Sequence, residues 1–124
     1  MTNKILILVI DDDVLVLKTF TKLLKSQGYE VIPTASYEEA VEAFKNSDFN
    51  LILSDIRMPG KNGVEVIKEI RRILNITKPG KDIPIIFITG YAEISDELKA
   101  EILGEVLLKP VDLERLLITI REYL

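Results

Sequence analysis

The sequence contains no cysteine, no histidine and no tryptophan among its 124 residues. The absence of cysteine excludes disulfides, thiolate catalysis and cysteine metal sites, and it is compatible with a reducing compartment. The absence of histidine excludes a Ser-His or Cys-His catalytic pair and disfavours zinc. Carboxylates are therefore the main candidates for any chemistry in this chain.

Long apolar runs and a secretory signal pattern are also missing. The longest apolar run covers residues 5–10, whereas a membrane span requires roughly 20 apolar residues. We therefore expect a cytoplasmic protein that makes no membrane contact. The net charge of −4 and the lack of a concentrated basic face argue against direct binding of nucleic acid.

The composition, with 48% hydrophobic and 29% charged residues, is that of a globular protein. Domains cluster at roughly 100 to 150 residues, so the chain is expected to form one domain over residues 1–124. Short apolar runs bounded by turn residues predict five buried strands. The predicted strands cover residues 5–10, 29–32, 51–53, 83–88 and 106–108.

Segments with helical apolar spacing separate and follow these strands. In the last segment the apolar face carries Leu113, Leu116, Leu117 and Ile120. Residues 75–82 form the only stretch that resembles an insertion, and they read as a loop or a loose helix end. The alternation of strands and helices predicts an α/β protein with a parallel sheet, doubly wound with five helices.

Capping residues mark the ends of the predicted helices. Gly28 stands where the first helix should end. Ser36 followed by Glu39 forms a capping box that opens the second helix. Ser95 is a candidate cap for the fourth helix, and Gly104 is a candidate end.

Polar side chains follow four of the strands, at the sheet edge where ligands bind in doubly wound proteins. Taken singly, each has an ordinary explanation: Asp13 is best read as a helix cap, and Asp55 alone suits a turn. Together, unneutralised carboxylates repel one another unless a cation or a proton offsets them. The residues at this edge are Asp11, Asp12, Asp13, Asp55, Thr89 and Lys109.

A hard oxygen site of this kind suits Mg²⁺, for which Mn²⁺ should substitute. Lys109 adds a positive charge that, with the metal, can balance the carboxylates and a transferred phosphoryl group. Phosphoryl transfer needs little beyond positioning and neutralisation, so Asp55 is the best candidate nucleophile.

Four motifs, in the order in which they follow along the chain, resemble those of the receiver domain of two-component response regulators. The resemblance covers the whole chain. The family has the flavodoxin-like fold, which implies strand order 2-1-3-4-5. The motifs are Leu8-Val9-Ile10-Asp11-Asp12-Asp13, Leu53-Ser54-Asp55-Ile56-Arg57-Met58-Pro59-Gly60-Lys61-Asn62-Gly63, Ile88-Thr89-Gly90-Tyr91-Ala92 and Leu108-Lys109-Pro110.

The resemblance implies that Asp55 accepts a phosphoryl group from a phosphohistidine of a sensor kinase or a histidine phosphotransfer protein. It implies that Asp12, Asp55 and the backbone carbonyl of Arg57 ligate Mg²⁺ directly, while Asp11 acts through bound water. It also implies that Thr89 and Lys109 contact phosphoryl oxygens and pull their loops inward. The chain would then be a phosphorylatable switch rather than a turnover enzyme.

Two features depart from the family pattern. Val106 stands where the family usually has an aromatic residue, so an aromatic side chain cannot swing inward behind Thr89. The interval from Thr89 to Lys109 also looks short, which predicts a compact fourth helix. Receivers attached to hybrid sensor kinases are similar in this respect, and an excised receiver of that kind is one interpretation of the chain.

Arg57 and Tyr91 each follow a motif residue and should flank the phosphorylation pocket. Our hypothesis is that they limit attacking water and so prolong the life of phospho-Asp55. In the family, the fourth helix, fifth strand and fifth helix commonly form the output face, and this is where the departures fall. The resemblance implies an output partner on that face but does not identify it.

Three other interpretations compete with this one. A phosphatase of the haloacid dehalogenase type also uses a strand-end aspartate, Mg²⁺, a hydroxyl and a lysine, but its nucleophile would be Asp11. A nucleotide-binding module is disfavoured, because acids occupy the first turn where a glycine-rich phosphate cradle should be. A pseudo-receiver that serves only as a docking surface is disfavoured, because every acceptor residue is present.

Overall fold

The computed structural model describes residues 4–56, 63–90 and 104–124. Strands and helices alternate along these residues, apart from one gap between the last two strands. The fourth predicted helix, expected to begin at Ser95, lies outside the described residues. The elements are β1 (Leu6–Ile10), α1 (Val14–Ser26), β2 (Glu30–Thr34), α2 (Tyr37–Asn46), β3 (Leu51–Asp55), α3 (Gly63–Thr77), β4 (Ile85–Thr89), β5 (Glu105–Leu108) and α4 (Leu113–Tyr123).

The five strands form one parallel sheet in the order β2-β1-β3-β4-β5, which confirms the predicted α/β fold and strand order. Successive side chains of a strand point to opposite faces, so each strand contributes to two cores. Leu8 and Ile10 pack with α2 and α3 on one face, and Ile7 and Val9 pack with α1 and α4 on the other. None of the four described helices has the length and apolar character needed to cross a lipid bilayer.

Three of the predicted helix ends are present in the structure, whereas the predicted start of the fourth helix at Ser95 lies outside the described residues. The Asp13 carboxylate accepts hydrogen bonds from the first-turn N–H groups of α1, which confirms its role as a cap. Gly28 follows α1 with φ of +89°, and its N–H donates to the Lys25 carbonyl at 3.0 Å. The Ser36 hydroxyl accepts from the Glu39 N–H at 3.2 Å, which confirms Ser36 as the cap that opens α2, while the Glu39 carboxylate accepts from the Ala35 N–H at 3.4 Å.

Helix α3 continues to Thr77, so residues 75–82 begin as a helix end and continue as a loop, two alternatives that the prediction had left open. One detail differs from the prediction. Leu113, predicted on the apolar face of the last helix, is the first residue of α4 and is 39% exposed. Leu116 and Ile120 are fully buried, as the spacing predicted.

Candidate functional site

The strand register brings the polar residues to one edge of the sheet. Ile10 pairs with Ser54, so the next residues, Asp11 and Asp55, lie side by side at the ends of β1 and β3. Asp55 pairs with Ile88, the residue before Thr89. Thr89 in turn pairs with Leu108, the residue before Lys109.

Side-chain alternation explains why three of these residues converge. Asp11, Asp55 and Lys109 each stand two positions after a strand residue that faces α1 and α4. Their side chains therefore point to the same face of the sheet as that core, just beyond its last residues. The preceding residues of the three rows are Val9, Leu53 and Leu107.

The ammonium of Lys109 lies between two carboxylates. Its Nζ atom is 3.2 Å from Oδ2 of Asp55 and 3.5 Å from Oδ2 of Asp11. The other oxygen of Asp55, Oδ1, accepts a hydrogen bond of 2.7 Å from the Ile56 N–H. The two oxygens of Asp55 are thus held by different donors, and the side chain has a fixed orientation at the strand end.

Asp11 is held on several sides. Its N–H donates to the Thr34 carbonyl at 3.1 Å, which ties the end of β1 to the end of β2. Its Oδ1 accepts from the Asp13 N–H at 2.9 Å. Burial has the largest effect on the pKa of Asp11 and raises it. The Asp13 N–H and Lys109 lower this pKa, and the Asp55 carboxylate raises it. The pKa of Asp11 therefore stands above its ordinary value.

Lys109 keeps its charge at neutral pH. Burial lowers the pKa of Lys109, but the carboxylates of Asp55 and Asp11 raise it by more, so the pKa stands above its ordinary value. The Lys109 N–H also donates to the Thr89 carbonyl at 2.7 Å, and the following Lys109–Pro110 peptide bond is cis. Thr89 itself is completely buried at the end of β4.

Asp12 completes a group of three carboxylates. One oxygen each from Asp11, Asp12 and Asp55 lies within 4.8 Å of the others, and Asp12 is the exposed member. Among the described residues, three carboxylates lie beside one ammonium, that of Lys109, and leave an excess of negative charge, which a divalent cation would neutralise. Oxygen ligands that face solvent on one side suit Mg²⁺, which keeps several of its waters. The donor set therefore fits the predicted metal.

Gly63 is a site residue to which the sequence pattern assigns no role. A Cβ atom on Gly63 would lie 2.0 Å from the main-chain oxygen of Asp55, so only glycine allows α3 to begin against the end of β3. The Gly63 N–H donates to the Ile56 carbonyl at 2.7 Å. The Ser54 hydroxyl donates to the same Asp55 oxygen at 2.8 Å. A glycine directly before a helical pattern was the only sequence signal for this contact.

Arg57 and Tyr91 lie outside the described residues, so the predicted carbonyl ligand and both pocket-flanking side chains stay predictions. Val106 is described: it pairs in register with Phe87 and packs partly buried against the core that faces α2 and α3. Gly104, the candidate end of the fourth helix, packs against the start of β4, where a Cβ atom would lie 2.3 Å from the Ile85 carbonyl oxygen.

Comparisons with known proteins agree with this geometry. Residues 7–121 match the family described as the response regulator receiver domain. The polar-differentiation response regulator DivK of Brucella ovis is 32% identical over 120 residues, which cover 95% of this chain and 94% of DivK. The transcriptional regulatory protein ZraR of Klebsiella oxytoca is also 32% identical over 120 residues, which cover 95% of this chain and 26% of ZraR.

A solved structure is similar over almost the whole chain. The response regulator TrrA of Thermotoga maritima, in complex with Mg²⁺ and BeF, has 30% identity and a TM-score of 0.83. The match covers 97% of this chain and 99% of that one.

A doubly wound parallel sheet with acidic residues and a lysine at its carboxyl edge defines a phosphoacceptor switch domain. The chain belongs to the response regulator receiver family. Such domains are modules of two-component signal transduction, bind Mg²⁺ at the acidic site and interact with histidine kinases or phosphotransfer proteins. The chain spans only about a quarter of the length of ZraR.

Proposed function

We propose that Asp55 is the phosphoacceptor of this receiver domain. A carboxylate oxygen of Asp55 attacks the phosphorus of a phosphohistidine on a sensor kinase or a histidine phosphotransfer protein. The new O–P bond forms as the N–P bond breaks, and the departing imidazole takes a proton from solvent. The observation that carries this proposal is the meeting of three carboxylates, within 4.8 Å of one another, beside the ammonium of Lys109.

Residues of the chain divide the remaining tasks. The Lys109 ammonium, which pairs with Oδ2 of Asp55, neutralises a phosphoryl oxygen once Asp55 is modified. The Thr89 hydroxyl donates a hydrogen bond to another phosphoryl oxygen. Because the Lys109 N–H already bonds the Thr89 carbonyl at 2.7 Å, inward movement of one loop draws the other with it. This coupled movement is the switch.

Asp12 and Asp55, with the backbone carbonyl of Arg57, would hold Mg²⁺ directly, and Asp11 would hold it through water. When bound, the metal neutralises the carboxylates and the phosphoryl oxygens. Mn²⁺ prefers the same oxygen ligands and substitutes for Mg²⁺. Asp11 keeps one oxygen on the Asp13 N–H, which leaves the other for Lys109 and for metal-bound water.

Intact-mass measurement after incubation with acetyl phosphate and Mg²⁺ tests the acceptor. Wild type should gain one phosphoryl group, and Asp55→Asn should gain none. Asp48→Asn is the matched control, since Asp48 is an exposed aspartate in the loop between α2 and β3, and it should be labelled like wild type. An unmodified wild type, or equal labelling of Asp55→Asn, contradicts the proposal.

We also propose that the chain is not a turnover enzyme on an external substrate. The haloacid dehalogenase alternative requires Asp11 as nucleophile, but Asp11 is 2% exposed and has its oxygens on Asp13 and Lys109. Steady hydrolysis of p-nitrophenyl phosphate that Asp11→Asn abolishes and Asp55→Asn spares would favour the phosphatase. Labelling that depends on Asp55, without such turnover, supports the switch.

The output face is proposed to include β5, α4 and the helix that is expected between β4 and β5. Residues 1–124 are proposed to form one receiver domain. Leu108 on β5 and Ile118 on α4 are 49% and 44% exposed, which suits contact with an unidentified partner. If this face responds, phosphorylation should shift the amide resonances of both residues. Unchanged resonances there, in a protein shown by mass to be phosphorylated, contradict the assignment.

Arg57 and Tyr91 are proposed to shield phospho-Asp55 from water, because their positions follow Asp55 and Thr89 closely in sequence. Replacing both with alanine should accelerate dephosphorylation, as measured by the decay of the phosphorylated mass after removal of acetyl phosphate. An unchanged decay rate contradicts the idea. A cytoplasmic location stays a prediction that rests on the lack of long apolar runs and of a secretory signal pattern. An origin in a hybrid sensor kinase stays a prediction that rests on the resemblance.

A further inference from the structure

A cavity lies between the C-terminal ends of α2 and α3, where the loops lead into the N-terminal ends of β3 and β4. The phosphoacceptor edge is at the carboxyl ends of the same strands. The cavity has a volume of about 470 Å³, which is within the range of small-molecule sites. The segment that the sequence marked as an insertion, residues 75–82, contributes one wall.

The floor of the cavity is apolar and firmly packed. Phe44 and Phe49 stack with ring centroids 6.2 Å apart and an interplanar angle of 13°. Ile73, Leu74 and Ile83 complete the floor, and each is between 5% and 8% exposed, so the cavity reaches the edge of the core.

The rim of the cavity is basic, although the chain as a whole carries a net charge of −4. Lys45, Lys78 and Lys81 line it together with a single acid, Asp48, which pairs with Lys78. The carboxyl ends of two helices also lie here and carry partial negative charge, which the lysines offset in part. The positive charge of three ammonium groups exceeds the negative charge of one carboxylate and two helix ends, so the rim has a net positive charge.

We propose that this cavity binds a small amphipathic anion, with an aryl or alkyl body on the apolar floor and a carboxylate or phosphate at the lysine rim. Lys78 and Lys81 are placed to hold the anion because the loop between them turns at Gly80, with φ of +86°, and closes with a 3.1 Å hydrogen bond from the Lys81 N–H to the Lys78 carbonyl. The site is distinct from the phosphoacceptor edge and independent of the proposed function.

Titration of the ¹⁵N-labelled chain with 4-phenylbutyrate tests the proposal. Saturable amide shifts should be concentrated in residues 44–49 and 73–83. The neutral analogue 4-phenylbutanamide has the same apolar body and should bind about tenfold more weakly, because it lacks the charge-assisted contacts. Phenyl phosphate, titrated separately, distinguishes a phosphate head from a carboxylate head.

Two double variants separate a site from general attraction to lysine. Lys78→Gln with Lys81→Gln should weaken 4-phenylbutyrate binding about tenfold. Lys18→Gln with Lys22→Gln removes the same charge from the exposed surface of α1, outside this cavity, and should leave binding unchanged. Lys18, Lys22 and Lys81 are exposed and Lys78 is partly exposed, and none of the four lies in the core, so both proteins should fold.

Three results overturn the proposal: no saturable shifts in these two segments, equal affinity for the acid and the amide, or equal weakening by both double variants. Loss of phosphorylation in Asp55→Asn does not bear on this site. A failed titration likewise leaves the phosphoacceptor proposal unaffected.

Discussion

The α-carbon of Gly63 lies directly against the main-chain carbonyl of Asp55. A Cβ atom at Gly63 would be 2.0 Å from that oxygen and 3.0 Å from the Ser54 hydroxyl oxygen. The oxygen belongs to the backbone of a buried strand, so it cannot move aside as the end of a side chain would. We therefore expect Gly63→Ala to lower the free energy of unfolding by about 1–3 kcal/mol and to slow phosphorylation of Asp55.

Gly90→Ala is the matched control for this substitution, because a Cβ atom at Gly90 would meet no atom of the described residues within 4 Å. Urea denaturation should give a lower midpoint for Gly63→Ala and a midpoint close to wild type for Gly90→Ala. Equal midpoints for the two variants contradict the close approach.

The pH dependence of stability in the metal-free protein follows from Asp11. Burial raises the pKa of Asp11, so the folded state holds this proton more tightly than the unfolded state. The resulting destabilisation is fully present above the raised pKa. It is relieved as pH falls through that value towards the ordinary value of 3.8. Stability in EDTA should therefore rise on mild acidification.

Asp11→Asn removes the titrating group and should flatten this part of the curve, as urea denaturation at successive pH values would measure. It should also stabilise the metal-free protein at pH 7, because it removes a buried charge that faces Asp55. Asp48→Asn is a control, since it removes an exposed charge elsewhere. Asp11→Asn and wild type with parallel curves would refute the assignment.

Among the described residues, Lys109 is the cation that pairs with both Asp11 and Asp55, at 3.5 Å and 3.2 Å. Lys109→Gln should make Mg²⁺ bind about fivefold more tightly, because a like charge near the metal is removed. It should also slow phosphorylation. Lys109→Arg keeps the charge and should bind Mg²⁺ as wild type does. Calorimetry measures the affinities, and identical values for both variants would exclude the electrostatic role.

Neighbouring aspartates in the first loop should differ in their response to metal. Free Mg²⁺ at ten times its Kd should stabilise wild type by about 1.4 kcal/mol through mass action. Asp12→Asn should abolish most of this gain. Asp13→Asn should retain it, because Asp13 caps α1 and asparagine caps equally well. Equal gains in both variants would remove Asp12 from the metal site.

The strand ends and the alternation of elements were predictable from the sequence because both depend on local chemistry. An apolar run with the length of a buried strand can satisfy both hydrogen bonding and burial in few ways. Runs of this kind precede Asp11, Asp55, Thr89 and Lys109. The caps at Asp13 and Ser36 were predictable for the same reason, since a cap involves only its own first turn. Some element ends were displaced by a few residues, as at Thr77, where α3 ends.

Only the tertiary structure decided which of these residues touch. The register of β1 against β3 places Asp11 beside Asp55, and the register of β4 against β5 brings Lys109 within reach of both. The Gly63 contact and the cavity between the C-terminal ends of α2 and α3 depend on how segments distant in sequence approach one another, which no local pattern encodes. The sequence by itself determined that carboxylates, a hydroxyl and an amine stand at strand ends. Packing determined that Lys109 neutralises Asp11 and Asp55 together, because distances between strands are set by the sheet and not by the order of residues.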